Sequence, residues 1–256
     1  MPTASDLSAS PFRPEVPRNR DDIILSVIMA AYNEEATIDE AVQRVQTVPL
    51  QIELIAIDDC STDRTGEILD RLHAEGLVRQ VIHQPENRGK GAAVRAGINA
   101  ATGHVVVIQD ADLEYDPQEY AVLLEPIRLG KADAVFGSRF QAGPHRVLYF
   151  WHSLGNRFLT LLSNMLTDLN LTDMETCFKM ARADLLKSLG LTSNRFGIEV
   201  ELTARLARAG ARIWEVPISY AGRTYAEGKK IDWRDGVAAI WHILRFNLLT
   251  ARHRSA

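Results

Sequence analysis

The sequence predicts an α/β protein built on a mostly parallel sheet with helices on both faces, and three observations predict it. Apolar, β-branched runs of strand length recur through the first half of the chain. Each of the first four is followed by a segment whose apolar residues fall at helical spacing, and the junctions carry the carboxylates and glycines that suit turns and helix starts. Parallel strands need crossover connections, so this alternation folds into a Rossmann-like sheet covered on both sides.

The run IILSVIMA, residues 23–30, is the first strand, and helical spacing follows from Glu34 through Ile38, Ala41 and Val45. QIELIAIDD then precedes a helix over 63–73, LVRQVIHQ one over 91–100, and GHVVVIQDAD one over 117–127. ADAVFGSR is a fifth strand. The second half reads as amphipathic helices over 148–169 and 197–208, a strand over 212–217 and a last helix over 233–250. No repeat or low-complexity linker divides the chain. We expect a disordered tail (1–20), one main domain (21–222), and a basic loop with a C-terminal amphipathic helix (223–256).

The 256 residues, 46% hydrophobic and 24% charged, suit a globular chain rather than a disordered one. A formal charge of -4 gives no bulk electrostatic reason to bind nucleic acid. Two cysteines, Cys60 and Cys177, are too few for a disulfide framework and fit a reducing compartment. The first twenty residues hold four of the ten prolines and no apolar run of the secretory kind. The most apolar stretch, 147–171, is interrupted by His152, Asn156, Arg157 and Asn164, so no membrane-spanning helix is expected.

Open α/β sheets bind ligands beyond the carboxyl ends of their strands, and here those ends are acidic. The first strand runs into Ala30-Ala31-Tyr32-Asn33-Glu34, the second into Asp58-Asp59, and the fourth into Asp110-Ala111-Asp112 with Glu114 beyond. Converging carboxylates repel unless a cation compensates, and hard Mg²⁺ or Mn²⁺ is the usual one. Asp110 and Asp112, at i and i+2, can face one side of an extended chain. Asp58-Asp59 serves equally as helix-capping chemistry, as Asp63 and Asp116-Pro117 do. Asn87-Arg88-Gly89-Lys90-Gly91 opens a helix with glycines and a lysine, which suits phosphate or simply a turn; it lacks the spacing of a Walker loop.

The ordered set VIMAAYNEE, IAIDDCSTDRT, NRGKGAAVRAGINAATG, QDADLEYDP, FGSRF, DMETCFK and YAGRTYAEGKKI, spanning residues 23–232, resembles glycosyltransferase family 2 with its GT-A fold. Within it the chain is most similar to the polyprenyl-phosphate sugar transferases typified by dolichyl-phosphate mannose synthase. That resemblance implies a nucleotide-sugar donor (GDP-mannose or UDP-glucose), a divalent metal and a polyprenyl-phosphate acceptor, dolichyl or undecaprenyl. Ala30, Tyr32, Glu34, Ile57 and Asp59 would hold the nucleoside. Asp110, Asp112 and Glu114 would be metal ligands, Glu114 standing where the mannose synthases usually carry glutamine. Ala30 replaces a common proline. Arg139, Arg223 and Lys229 match positions that contact phosphates, Lys90 and Ala111 line the donor site, and Asp112, Arg139 and Arg223 carry the catalytic roles.

A lipid phosphate is already ionised at neutral pH, with a second pKa of about 6, so its transfer needs no general base. A hydroxyl acceptor would need one, and Glu175 and Glu199 are the candidates, each with a structural alternative. A non-catalytic nucleotide-sugar-binding subunit is the reading from another class. No Gln-x-x-Arg-Trp segment of processive synthases occurs.

In the last helix Val237, Ile240, Trp241, Leu244 and Leu248 form one stripe, with Ala239, Ile243 and Phe246 roughly opposite. One stripe would pack on the domain. The other, with Arg245, Arg252 and Arg254, would meet lipid or a second copy in a homo-oligomer. The helix around 151–166 is a second acceptor wall or, the reading taken here, core; Arg146 and Arg157 flank it. A peripheral protein on the inner face of the cytoplasmic membrane is the expected location.

Overall fold

The computed structural model describes residues 16–141, 144–147, 149–224 and 233–249. A seven-stranded sheet forms its centre, in the order β3-β2-β1-β4-β6-β5-β7. The strands are β1 (Ile24–Ala31), β2 (Gln51–Asp58), β3 (Gln80–His83), β4 (Val105–Asp110), β5 (Ala134–Ser138), β6 (Lys179–Arg182) and β7 (Ile213–Pro217). All pairs are parallel except those of β6, which runs antiparallel between β4 and β5.

Side chains that alternate along each strand divide the core in two. Leu25, Val27 and Met29 face the layer of α1 (Ile38–Gln46), α2 (Thr65–Ala74) and α4 (Tyr120–Arg128). Ile28, Ile55 and Ile57 face the layer of α3 (Lys90–Ala100), α5 (Phe150–Thr167), α6 (Ala183–Ser188), α7 (Ile198–Arg208) and α8 (Trp233–Leu244). A π-helical turn, Arg245–Leu249, continues α8.

Every strand expected from the sequence is present. Helix α1 starts at Ile38, not Glu34, because residues 34–37 form turns that tie the loop to its neighbour. The short helix α6 was not expected, and the strand missed is β6. Its four residues, Lys-Met-Ala-Arg, are too short and polar to read as a core strand, yet all four are buried between β4 and β5. Inside the stretch expected to be a tail, Val16 packs on the core and the Arg18 carbonyl accepts from Arg128.

The core reading of α5 is overturned. Only Leu159, Thr160 and Ser163 are buried, while Phe150, Trp151, Leu154, Phe158, Leu161 and Met165 lie exposed. In α8, Ala239 and Ile243, with Phe246 beyond, face the core, and Val237, Trp241 and Leu248 face outward. No helix among the described residues is long and apolar enough to cross a membrane.

Candidate functional site

Three strands of the parallel sheet end in a residue with positive φ: Asn33 (53°) after β1, Cys60 (61°) after β2 and Leu113 (64°) after β4. A left-handed Leu costs roughly 1–2 kcal/mol, so the fold maintains strain at this one edge. The first two loops are stitched together. Asn33 N–H donates to Ser61 Oγ (3.0 Å), Thr62 N–H to Asn33 Oδ1 (2.8 Å), and Glu34 N–H to Thr65 Oγ1 (2.9 Å). The segments AYNE and DDCST are thus one double loop, with Tyr32 40% exposed on it. Ile57 and Ala111 are buried, so their side chains cannot reach a ligand and only backbone is offered there. Ala30 is half-buried.

Asp59 accepts the N–H groups of Arg88 (2.9 Å) and Gly89 (2.7 Å), fixing the loop before α3. Gly89 has φ +90°, and a Cβ there would stand 2.7 Å from the Asn194 carbonyl oxygen; at Gly91 it would stand 2.5 Å from that of Ser193. The chain itself fills this concavity, so the glycines serve packing and not a phosphate cradle. Lys90 points inward instead. Its Nζ meets Asp110 Oδ1 (2.7 Å), Cys177 Sγ (2.8 Å) and Glu199 Oε1 (3.1 Å). Burial opposes its charge, but Asp110, Cys177 and Glu199 outweigh burial and raise its pKa well above the ordinary lysine value.

Arg223 occupies the centre of the edge. Its Nη2 lies 3.0 Å from Asp112 Oδ2, its Nε 3.3 Å from Glu114 Oε1, and its Nη1 3.7 Å from Glu34 Oε2. Its backbone N–H also donates to Glu114 (2.9 Å), whose other oxygen accepts from Tyr220 Oη (2.6 Å). Burial, then the charges of Asp110 and Glu114, push Asp112 up to about 7. The expected metal set therefore stands as carboxylates paired to cations: Asp110 to Lys90, and Asp112 and Glu114 to Arg223. Among the described residues no group of three or more His, Cys, Asp or Glu is arranged to hold a metal. The donor chemistry of Asp110 and Asp112 nevertheless fits a hard divalent ion, since both are carboxylates and negative charge outruns positive at Asp112.

Arg139, expected at a phosphate, is held elsewhere. Its Nε and Nη2 donate to Asp173 at 2.7 and 2.8 Å, its N–H to the same carboxylate at 3.1 Å, and the guanidinium lies 5.2 Å from the Tyr220 ring centroid. Arg146 donates to the Gly222 carbonyl, and Arg157 lies over Phe140. Glu175 and Glu199 sit near each other below the edge, each with one buried oxygen lacking a hydrogen bond. Burial, then Glu199, raises Glu175 to about 7. Lys229, Arg252 and Arg254 lie outside the described residues. Asp173, Cys177 and Tyr220 join the site without having been singled out, although each belongs to a motif quoted above.

Residues 26–190 match the family model for glycosyl transferase family 2. The chain is 31% identical over 244 residues to an undecaprenyl-phosphate mannosyltransferase of Micrococcus luteus, covering 86% of this chain and 97% of that one. It is 29% identical to a polyprenol monophosphomannose synthase of Mycolicibacterium smegmatis, with 79% of each covered. Among solved structures, glucosyl-3-phosphoglycerate synthase of Mycobacterium tuberculosis with Mn²⁺, UDP and glucosyl-3-phosphoglycerate superposes with TM-score 0.68 at 25% identity, covering 88% of this chain and 80% of that one. Sheet order, acidic strand ends and these likenesses agree: the chain belongs to glycosyl transferase family 2 and is a glycosyltransferase of the GT-A fold.

Proposed function

We propose that this glycosyltransferase moves one hexose, mannose or glucose, from a nucleoside diphosphate sugar to a polyprenyl phosphate with inversion. The observation that carries the reading is the likeness along nearly the whole length of the Micrococcus luteus enzyme, named for transfer to undecaprenyl phosphate. The charges at the sheet edge support it. The AYNE and DDCST double loop, with Tyr32, Glu34 and Asp59, receives the nucleoside. Asp110 and Asp112 would hold Mg²⁺ or Mn²⁺, with Glu114 beside them. Bound there, the ion would neutralise charge on the donor diphosphate.

The remaining chemistry belongs to the chain. Arg223, already among carboxylates, is placed to turn to a phosphate and stabilise the charge that develops on the leaving diphosphate. Lys90 keeps Asp110 ionised, and Lys229, six residues after Arg223 in the sequence, adds positive charge. Arg139, bound to Asp173, positions the wall that Tyr220 completes. An acceptor phosphate oxygen forms the new bond to the anomeric carbon as the bond to the diphosphate breaks and its electron pair leaves with the diphosphate. No proton need be removed from the acceptor. The enzyme works peripherally at the cytoplasmic face, consistent with two unbridged cysteines.

A hydroxyl acceptor is the second reading. The likeness to glucosyl-3-phosphoglycerate synthase favours it, as does Glu175, which titrates near 7 where a general base is effective. The test is transfer from a panel of GDP- and UDP-sugars into extractable polyprenyl phosphate, with Mg²⁺, Mn²⁺ or chelator, read by mass spectrometry. A metal-dependent lipid-phosphate hexose supports the proposal. Product only with phosphoglycerate or another hydroxyl acceptor replaces it, and no donor binding at all favours a non-catalytic subunit. Retained anomeric configuration in the product's NMR spectrum would overturn inversion.

A further inference from the structure

The double loop formed by AYNE and DDCST is held from behind by a side chain that lies outside the motifs quoted above. His83 closes β3, an edge strand of the sheet, and its ring lies between two carboxylates. Nδ1 is 3.0 Å from Asp58 Oδ2 at the end of β2, and Nε2 is 2.9 Å from Asp70 Oδ1 on α2. An acceptor at each ring nitrogen suits an imidazolium, which has two N–H donors, and hydrogen bonds to Asp70, then Asp58, raise the pKa of His83 accordingly. The two carboxylates are not equivalent. The Asp70 side chain is 66% exposed and that of Asp58 8%, so Asp70 has water as an alternative partner and Asp58 does not.

Asp58 passes the constraint on. Its Oδ1 accepts the N–H of Ser61 (3.0 Å), closing the turn over Cys60, whose φ is +61°. Ser61 Oγ in turn accepts the N–H of Asn33 (3.0 Å), which has φ +53° and stands between Tyr32 and Glu34. Left-handed residues other than glycine persist only where their surroundings over-determine them. Here one such residue in each loop is tied into a single line of hydrogen bonds that runs from His83 through Asp58 and Ser61 to Asn33. Gln84 N–H donates to the Asp58 carbonyl (2.8 Å), so backbone and ring fix the same residue. Helix α2 packs on the pair at Gly66, where a Cβ would stand 3.1 Å from Asp58 Oδ2 and 3.5 Å from His83 Cε1.

We propose that His83 is a positioning residue for the nucleoside of the donor. Its Nδ1–H holds Asp58, and through Ser61 it keeps both loops in the shape that takes the base and ribose. The inference rests on the reading that this double loop receives the nucleoside. Lying behind Asp58, His83 acts on donor affinity and not on the transfer step.

The test is calorimetric titration of the full chain with UDP and with GDP in the presence of Mn²⁺, joined by KM and kcat for UDP-glucose and GDP-mannose. Asparagine places its amide nitrogen where Nδ1 stands, and glutamine where Nε2 stands. His83→Gln, which keeps only the reach toward Asp70, should weaken nucleotide binding and raise the donor KM about tenfold, with kcat within about twofold of wild type. His83→Asn should bind within about threefold of wild type, and Asp70→Asn, which keeps an acceptor for Nε2, within about twofold. Ser61→Ala cuts the next link and should weaken binding as His83→Gln does. The double variant should bind no more weakly than the worse of the two, because both break one line. Circular dichroism and elution volume should match the wild type throughout. Should His83→Gln fail to fold, Ser61→Ala decides: undiminished binding there overturns the relay. Binding that His83→Gln leaves intact, His83→Asn as weak as His83→Gln, or a fall in kcat at unchanged KM each overturns the inference while the nucleoside reading stands. A wild type that binds neither nucleotide refutes the nucleoside reading, and the inference falls with it.

Discussion

Replacing Asp173 by Asn tests whether Arg139 is bound within the fold or available to a ligand. Asp173 is fully buried and takes three hydrogen bonds from Arg139, at 3.1, 2.7 and 2.8 Å. Asparagine removes the charge and presents an amide donor to a guanidinium that has only donors, leaving a buried cation without its counter-ion. Loss of one partner of a buried pair costs about 3–5 kcal/mol. Against a total stability of about 5–15 kcal/mol that is a large share. For a chain of this size it corresponds to a fall in Tm of about 6–20 °C. Urea unfolding followed by tryptophan fluorescence should show a lower midpoint with unchanged slope, and calorimetry the Tm shift. A loss below about 1 kcal/mol, the scale of an exposed pair, would refute the reasoning and restore Arg139 as a free phosphate ligand.

Asp112→Asn should reduce sugar transfer about a hundredfold or more, and near-normal turnover with unchanged metal dependence would remove Asp112 from the metal site. Arg223→Ala should leave Glu34, Asp112 and Glu114 mutually repelling, so Mn²⁺ without donor should raise the variant's Tm more than that of the wild type; equal shifts would count against competition for the same carboxylates. His83 lies between Asp70 (2.9 Å) and Asp58 (3.0 Å), which raise its pKa, so its contribution to stability is complete below about pH 6.5 and is lost as pH rises through the raised value. Tm should fall across that window, and His83→Gln should flatten the fall. Gly89→Ala should cost about 1–3 kcal/mol in urea unfolding, because φ is +90° and the new Cβ would meet the Asn194 carbonyl at 2.7 Å; a neutral outcome would mean the 193–195 loop yields.

Much of this was legible in order along the chain. Hydrophobic period placed β1 to β5, β7 and the long helices, because each strand and crossover helix carries its own pattern within a few residues. The acidic strand ends marked the edge where Asp110, Asp112 and Arg223 meet, and the motif order marked the family. Pairings across long separations were not legible. Arg139 finds Asp173 34 residues away and Arg223 finds Asp112 111 residues away, distances over which no local propensity acts. Strand β6 exists because β4 and β5 leave a gap whose backbone groups need partners, which buries Lys179 and Arg182 where their composition argues against it. Helix α5 carries a helical period either way. Only docking on α7 and α8 decided that Thr160 and Ser163 turn inward and that Trp151 and Phe158 meet the surroundings.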